Sequence, residues 1–246
     1  MIRKLGCSDN LSGVDTPLFP LIYVNYNIVS FNSNGVYGQF NGDNRLVFII
    51  SIKNGEAVLS AVGDYNAEEI NCFLKMMDVS GAISDTLFDD LDISFNGYNL
   101  LKLCVLKNIE HNRTQFLNQE SAGEDYRGIF TLFYNDEKLF PAWYVDFVKK
   151  VMMSCGFAGY IKDYKKVVSG ALVTGIYEDQ AVISGVYTRE KYRGRGLASE
   201  CVTAVSSELL SMGVKDIYLW CEDSKLDFYK RLGYKKTSQI YIGECK

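Results

Sequence analysis

The sequence reads Tyr187-Thr-Arg-Glu-Lys-Tyr-Arg-Gly-Arg-Gly-Leu-Ala-Ser199 between an apolar, strand-like run and a long amphipathic helix pattern. Gly194 and Gly196 predict a turn with uncovered main-chain N–H groups, because glycine lacks a Cβ and adopts conformations that other residues avoid. The turn opens a helix, whose first N–H groups lack partners and carry the positive end of the dipole. Arg193 and Arg195 add positive charge there. We interpret the stretch as a binding site for phosphate groups.

Two other interpretations of the stretch are open. A glycine-rich turn between a strand and a helix can be only a tight connection. An Arg-Gly-Arg-Gly run is also typical of disordered RNA-binding tracts, but here it occurs once and is enclosed by a strand and a helix, which disfavours that interpretation. A lone short motif has false matches, so the surrounding sequence has to support the phosphate site.

The surrounding sequence resembles that of a known family. The acyl-CoA pyrophosphate loop of GCN5-related N-acetyltransferases (the GNAT family) has the pattern Gln/Arg-x-x-Gly-x-Gly/Ala, which is similar to Arg193-x-x-Gly196-x-Ala198 after the strand end Val186-Tyr-Thr188. The closing helix of the family, with a tyrosine four residues before a glycine-aromatic pair, resembles Leu226-Asp-Phe-Tyr-Lys-Arg-Leu-Gly-Tyr234. The resemblance covers about residues 120–246, and no motif is recognised before them.

The fold class expected is α/β with a mixed sheet. We predict two domains: a smaller N-terminal α/β domain of unassigned function at residues 1–115 and a GNAT-like domain at residues 120–246. The order of a hairpin, a helix and a strand in the first domain would also suit a degenerate GNAT-like half. The polar segment 108–125 is the best candidate for a linker.

Local patterns predict further elements. Asn54-Gly55 is a favoured hairpin turn between apolar runs at 46–53 and 56–62. Asn66 is suited to cap a helix over residues 66–77. The remaining elements expected are strands at 21–26, 100–106, 128–134, 157–161, 171–177, 180–186 and 217–221, helices from Pro141 to Gly156 and from Leu197 to Met212, a short helix begun by Ser224, and a strand pair near Lys236 and Ile240.

The resemblance implies acetyl-CoA as cosubstrate. Its pantetheine arm is expected along Val186, Tyr187 and Thr188, where an extended amide chain can take main-chain hydrogen bonds as an added strand does. Val186 also has a plainer role as a buried strand residue, and both roles can hold, because the side chain can pack while the backbone binds. The diphosphate is expected on the loop and the first helical turn, at Arg193, Gly194, Arg195, Gly196, Leu197, Ala198 and Ser199.

Acetyl transfer also needs acid and base groups. The resemblance assigns the proton for the departing thiolate to Tyr229, since a phenol with an ordinary pKa of about 10 is protonated at neutral pH. Core packing is the alternative role of this tyrosine. The backbone N–H of Val186 is a candidate donor to the oxyanion. Glu222 and Asp223 are candidate bases, and either could instead be a solvated or capping carboxylate, with a water chain as a further alternative. The family often has asparagine where this chain has Glu222.

Composition narrows the function classes. The chain has 246 residues, 48% hydrophobic and 23% charged, which is typical of a globular protein with a core. The net charge of −4 argues against nonspecific nucleic-acid binding. Seven scattered cysteines and one histidine, His111, suggest neither a disulfide framework nor a metal site. No apolar run approaches the ~20 residues of a membrane helix, and no signal peptide is seen, so we expect a cytoplasmic protein without a membrane partner.

The function expected is therefore acetyl-CoA-dependent N-acetyl transfer. The acceptor is expected to be a primary amine of a small molecule or a protein amino group, which attacks the thioester directly. The alternative is a non-catalytic acyl-CoA-binding module whose N-terminal domain engages a partner. A structural α/β protein without a cofactor is the third possibility. The sequence has no readable motif for the acceptor or for the oligomeric state.

Overall fold

The computed structural model describes residues 1–6, 9, 11, 14–27, 35–118, 120–134 and 136–246. They form two compact units whose segments alternate along the chain. The first unit comprises Met1–Leu100, Trp220–Asp223 and Thr237–Lys246, and the second comprises Leu101–Leu219 and Ser224–Lys236. The domain limits expected at 1–115 and 120–246 stay a prediction.

The first unit is a mixed sheet with two helices. In spatial order its strands are β1 (Ile2–Lys4), β2 (Gly35–Phe40), β3 (Leu46–Lys53), β4 (Glu56–Ala61), β5 (Gly81–Ser84), most of β12 (Tyr234–Cys245) and most of β6 (Ile93–Leu103). The helices are α1 (Phe19–Asn27) and α2 (Ala67–Met76). The predicted hairpin is confirmed, because β3 and β4 pair antiparallel around Asn54 and Gly55, both at positive φ.

The two helices of the first unit cover opposite faces of its sheet. Phe48, Ile50 and Ile52 share a buried cluster with Ile70 of α2 and point to one face. Ser51 points to the other face, where its hydroxyl accepts a hydrogen bond from Asn25 of α1 at 3.0 Å. The predicted cap of α2 is confirmed, since the Asn66 side chain accepts from the Glu69 amide at 2.9 Å.

Two predictions for the first unit are wrong in element type or number. Residues 21–26, expected as a strand, lie inside α1. Pro20 is its second residue, a position where the missing N–H costs no intrahelical bond. The strand pair expected near Lys236 and Ile240 is the single strand β12. Of the strand expected at 100–106, residues 100–103 form the end of the longer β6, and residues 104–106 lie outside it.

The second unit contains the predicted phosphate loop. Its strands are, in spatial order, β11 (Asp216–Cys221, of which this unit includes the part to Leu219), β10 (Gln180–Thr188), β9 (Lys166–Tyr177), β8 (Phe157–Asp163) and β7 (Gln115–Leu117). β10 is parallel to β11 and antiparallel to β9. The helices are α3 (Gly123–Phe133), α4 (Phe140–Met152), α5 (Leu197–Ser211) and α6 (Leu226–Arg231). Those expected from Pro141 and Leu197 are confirmed as α4 and α5. The short helix expected from Ser224 is α6, which begins two residues later, because Ser224 lies in a 3₁₀ turn, Asp223–Lys225.

Helices also cover both faces of the second sheet. Ala158 and Tyr160 of β8 belong to a buried cluster with α3 and α4. Gly159, between them, faces the opposite side, where a Cβ would lie 2.6 Å from Val205 of α5. α5 ends as expected, because Gly213 at positive φ closes a Schellman motif in which the Val214 amide donates to Leu209 O at 3.1 Å.

The strand expected at 128–134 is wrong, because these residues belong to helix α3 and its C-cap, Tyr134. The buried residues of α3 recur at helical spacing: Tyr126, Ile129, Phe130 and Leu132. Gly128 permits close packing, since a Cβ there would lie 2.6 Å from Val167. Residues 108–125, expected as a linker, lie within the second unit and include β7 and the start of α3. Among the described residues, no helix has the length and apolar character needed to cross a membrane.

Candidate active site

The site begins where β10 parts from β11. The two strands pair from Gln180 to Ile183 only, with Leu219 as the last partner. At the same point Thr174 and Ser184 drop out of the register between β9 and β10, and their hydroxyls bond to each other at 2.8 Å. From Gly185 to Thr188, β10 continues along β9 alone. The edge of this segment that points away from β9 therefore has main-chain groups that are not paired with any strand among the described residues.

The phosphate loop follows β10 directly. A short 3₁₀ helix, Glu190–Tyr192, leads into Gly194 and Gly196, which both have φ of 75°. This left-handed conformation favours glycine. A Cβ at either glycine would have no atom within 4 Å, so the loop faces open space.

The amides of this loop are available to a ligand. Gly196 is the N-cap of α5, and its carbonyl accepts the first helical hydrogen bond, from Glu200 at 3.0 Å. In the part of the chain that the structure describes, no protein acceptor is in hydrogen-bonding position to the amides from Gly194 to Ser199. Because they belong to a turn and a helix N-terminus, they have the geometry that suits an anion. The geometry expected for the loop is thus present.

Both arginines of the loop are exposed, and each donates a hydrogen bond to a backbone carbonyl a few residues before it. Arg193 Nε donates to Thr188 O at 3.1 Å, and its guanidinium carbon lies 5.5 Å from the ring centroid of Tyr187. Arg195 Nη2 donates to Lys191 O at 3.2 Å and lies over the Tyr192 ring. These contacts keep two positive charges beside the open amides.

One cavity of about 680 Å³ joins the loop to α6. Its wall brings together nearly all predicted cosubstrate residues: Val186, Tyr187, Thr188, Arg193, Gly194, Gly196, Leu197, Ala198 and Ser199, with Tyr229. Arg195 is a loop residue outside this wall. Glu222 is exposed directly after β11 and is grouped with the first unit. The roles expected for these residues stay predictions.

Tyr229 is held by packing in the second unit. It is 8% exposed, and its ring meets that of Phe228 edge-on at 4.9 Å. On the other side it meets Tyr234, which is fully buried and hydrogen-bonded to the Ser206 hydroxyl at 2.7 Å. Burial raises the pKa of Tyr234, so that phenol stays protonated. Gly233 between the two tyrosines has φ of 95°, and a Cβ there would overlap Val105 O.

The cavity wall also includes four residues that the motif comparison missed: Tyr192, Lys225, Phe228 and Arg231. Lys225 precedes Tyr229 by four residues and could have been found from that spacing, which places two side chains on one helix face. Arg231 has no comparable signal, because its position depends on how the short helix α6 is oriented. Lys225 and Arg231 add two cationic side chains to the cavity.

These features fit an extended ligand that carries a diphosphate. The open amides and the cationic side chains suit phosphate oxygens, and the free edge from Gly185 to Thr188 suits an amide-containing chain. A phenol lies on the same wall, at Tyr229. Among the described residues, no three His, Cys, Asp or Glu side chains are grouped as metal ligands would be.

Comparison with solved structures supports the fold. A putative acetyltransferase of the GNAT family from Novosphingobium aromaticivorans has a TM-score of 0.61 at 14% identity, covering 94% of this chain and 98% of that one. A tandem GNAT protein from the clavulanic acid biosynthesis pathway also has a TM-score of 0.61, at 8% identity, covering 100% and 98%. A GNAT acetyltransferase from Colwellia psychrerythraea has a TM-score of 0.57 at 14% identity, covering 100% of both chains. At such identities the likeness shows the fold alone.

The comparison by sequence gives the family. No curated protein matches the sequence significantly. The model of the acetyltransferase (GNAT) family matches residues 112–234, which is half of the 246-residue chain. The resemblance seen in the loop and in the closing helix is thereby confirmed, and so is the α/β fold class. The family and the fold imply acyl-CoA-dependent acetyl transfer. This chain belongs to the GNAT acetyltransferase family.

Proposed function

We propose that the protein is an acetyl-CoA-dependent N-acetyltransferase that acetylates a primary amine of a small molecule or a protein. One observation carries the proposal. The open amides of the phosphate loop and the ring of Tyr229 line a single cavity within one compact unit. A site for an anionic coenzyme and a proton donor are thus available to one bound molecule.

The cosubstrate is held by three groups of residues in this proposal. The amides from Gly194 to Ser199 take the diphosphate, with positive charge from Arg193, Lys225 and Arg231. The pantetheine arm lies along Val186, Tyr187 and Thr188, where the free edge of β10 offers main-chain hydrogen bonds. The side chain of Thr188 is fixed by β9, because its buried hydroxyl forms a hydrogen bond with Ser169 Oγ at 2.8 Å. Acetyl-CoA supplies the activated acyl group when bound.

The reaction proposed is direct transfer. The neutral amine nitrogen attacks the thioester carbon, the C–N bond forms, and the C–S bond breaks after a tetrahedral intermediate. Tyr229 gives its phenolic proton to the departing thiolate, so that CoA leaves as a neutral thiol. A main-chain N–H at Val186 stabilises the developing oxyanion. The extra proton of the new amide passes to a base.

Glu222 is our proposal for that base. It is an exposed carboxylate directly after β11, and a carboxylate there can accept the proton directly or through water. Glu222→Gln should lower kcat/KM for the amine. An unchanged kcat/KM in this variant would assign proton removal to solvent.

The function is tested by two measurements on the full chain. Calorimetry should show that acetyl-CoA binds, and Gly196→Glu should abolish binding by placing bulk and negative charge in the diphosphate site. A thiol-detection assay with a panel of small amines and lysine peptides should then show amine-dependent CoA release. Binding without acetylation of any amine would favour a non-catalytic acyl-CoA-binding module. No binding at all would overturn both functions.

A further inference from the structure

A buried carboxylate belongs to the helical turn that follows the phosphate loop and has no part in the proposed chemistry. Glu200 is the fourth residue of α5, and its side chain is only 4% exposed. It is within the first helical turn, whose amides face the cavity. A negative charge at this place stabilises the helix dipole. It also opposes the binding of a second anion to the same turn.

One residue neutralises this carboxylate from outside the loop. Arg113 donates to Glu200 three times: its backbone N–H to Oε1 at 2.8 Å, its Nε to Oε2 at 2.8 Å and its Nη2 to Oε2 at 2.5 Å. The arginine side chain is 59% exposed, whereas that of its partner is almost fully buried. Loss of the guanidinium would therefore leave a desolvated, unpaired negative charge beside the loop.

Arg113 ends a segment that contacts the first turn of α5 at one end and the residue Gly233, just after α6, at the other. We call residues 104–113, between β6 and β7, the strap. At its first end, the amides of Cys104 and Val105 donate to Gly233 O at 3.0 and 3.3 Å, next to the helix that carries Tyr229. At its other end, Arg113 holds the first turn of α5. The strap thus joins the phosphate-binding helix to the element that follows the proposed acid.

We propose that Arg113 is a positioning residue for the cosubstrate. By pairing with Glu200 it removes the charge that would repel the diphosphate, and it fixes the helical turn whose amides bind it. This inference depends on the proposed use of an acyl-CoA. It goes beyond that function in predicting that affinity for the diphosphate, and not for the thioester arm, depends on a residue outside the loop.

The test compares two thioesters in wild type and Arg113→Met. Acetyl-CoA has the diphosphate, and S-acetylpantetheine lacks it. Arg113→Met should raise the Kd for acetyl-CoA about tenfold, as expected for a coupling of ~1.4 kcal/mol between neighbouring charges. Both kcat at saturation and kcat/KM for S-acetylpantetheine should stay within about twofold of wild type.

Two further variants separate charge from folding. Glu200→Gln combined with Arg113→Met removes both charges and should recover most of the acetyl-CoA affinity, and Arg113→Lys should keep it within about threefold of wild type. The matched control is Arg127→Met, which breaks another Arg–Glu pair of the same unit, with Glu137 at 2.5 Å, at an exposed site on α3. It should leave the Kd unchanged.

The outcomes are distinct. An equal loss with both thioesters, or no recovery in the double variant, would overturn the positioning role and leave only a structural one. Unchanged acetyl-CoA affinity in Arg113→Met would overturn it too. Wild-type protein that binds no acetyl-CoA would instead overturn the proposed function on which this inference depends.

Discussion

Tyr229 meets Tyr234 edge-on, with ring centroids 6.1 Å apart. Tyr234 is itself fixed, because its hydroxyl lies 2.7 Å from that of Ser206 on α5. Packing of its ring against Tyr234 thus helps to position the proposed acid. Removing the hydroxyl of Tyr229 therefore tests a catalytic role, and removing the hydroxyl of Tyr234 tests a structural one.

The first prediction concerns Tyr229→Phe. The ring contacts remain, so the Kd for acetyl-CoA should change by less than about twofold. Loss of the proton donor should lower kcat about 100-fold, the lower end of the range for general acid catalysis. Steady-state kinetics and calorimetry measure the two effects. Wild-type turnover in this variant would show that the tyrosine is only a packing residue.

The second prediction concerns Tyr234→Phe. Ser206 keeps its hydrogen bond to Val202 O at 2.7 Å but loses its bond to the phenol. The free energy of unfolding should fall by ~1–2 kcal/mol, as for a buried hydrogen bond. Urea unfolding measures it. A kcat loss as large as that of Tyr229→Phe, without loss of stability, would contradict a structural role.

The third prediction concerns pH and the same phenol. Burial raises the pKa of Tyr234 above its ordinary value, so the folded protein retains a proton that the unfolded chain releases near pH 10. The stability due to this group is present in full below pH ~10 and is lost as the pH rises through the raised pKa. The difference in unfolding free energy between wild type and Tyr234→Phe should therefore shrink in alkaline solution. A constant difference from pH 8 to 11 would contradict this.

The fourth prediction compares two glycines at the ends of α5. Gly196 and Gly213 have φ of 75° and 90°, and a Cβ at either would have no atom within 4 Å. Alanine at each should therefore cost a similar ~1 kcal/mol of stability through backbone strain alone. Only Gly196→Ala should weaken acetyl-CoA binding, by about tenfold or more, because its methyl group enters the diphosphate site. Equal affinity in both variants would place the diphosphate elsewhere.

The fifth prediction concerns cysteine reactivity. Burial raises the pKa of Cys201 to about 12 and that of Cys221 to about 11. Since the thiolate is the reactive form, both should resist iodoacetamide at pH 8 in the folded protein. Cys72 and Cys104 are exposed and should be alkylated first. Peptide mapping by mass spectrometry gives the order, and early modification of Cys201 would show that α5 opens readily.

The elements around the phosphate loop could be predicted because short-range signals determine them. Gly194 and Gly196 require a left-handed turn, Gly213 ends the helix that follows, and Asn54-Gly55 closes a hairpin by its own conformational preference. Such signals depend on the residue itself and hardly on the rest of the fold. The loop part of the candidate site belongs to this class.

The wrong or missing predictions concern residues whose conformation or contacts depend on distant parts of the chain. Ile129, Phe130 and Leu132 are residues that favour strands when read in isolation, but packing against β9 makes them one face of a helix. The Arg113–Glu200 pair joins residues 87 positions apart, and no local pattern indicates it. Arg231 reaches the cavity for a similar reason, because its position depends on how α6 is oriented. Sequence therefore predicted the backbone of the site better than the side chains around it.

The parting of β10 from β11 links ligand binding to folding. From Gly185 to Thr188 the edge of β10 away from β9 lacks the hydrogen bonds that a longer pairing with β11 would supply, and in the proposed function the pantetheine arm takes them. The amides on this open edge, those of Val186 and Thr188, should accordingly exchange their hydrogens quickly in the free protein and slowly when it is saturated with acetyl-CoA. A ligand that binds only the folded chain stabilises it by RT ln(1 + [L]/Kd). The rise in unfolding temperature caused by acetyl-CoA therefore measures its affinity for the folded protein.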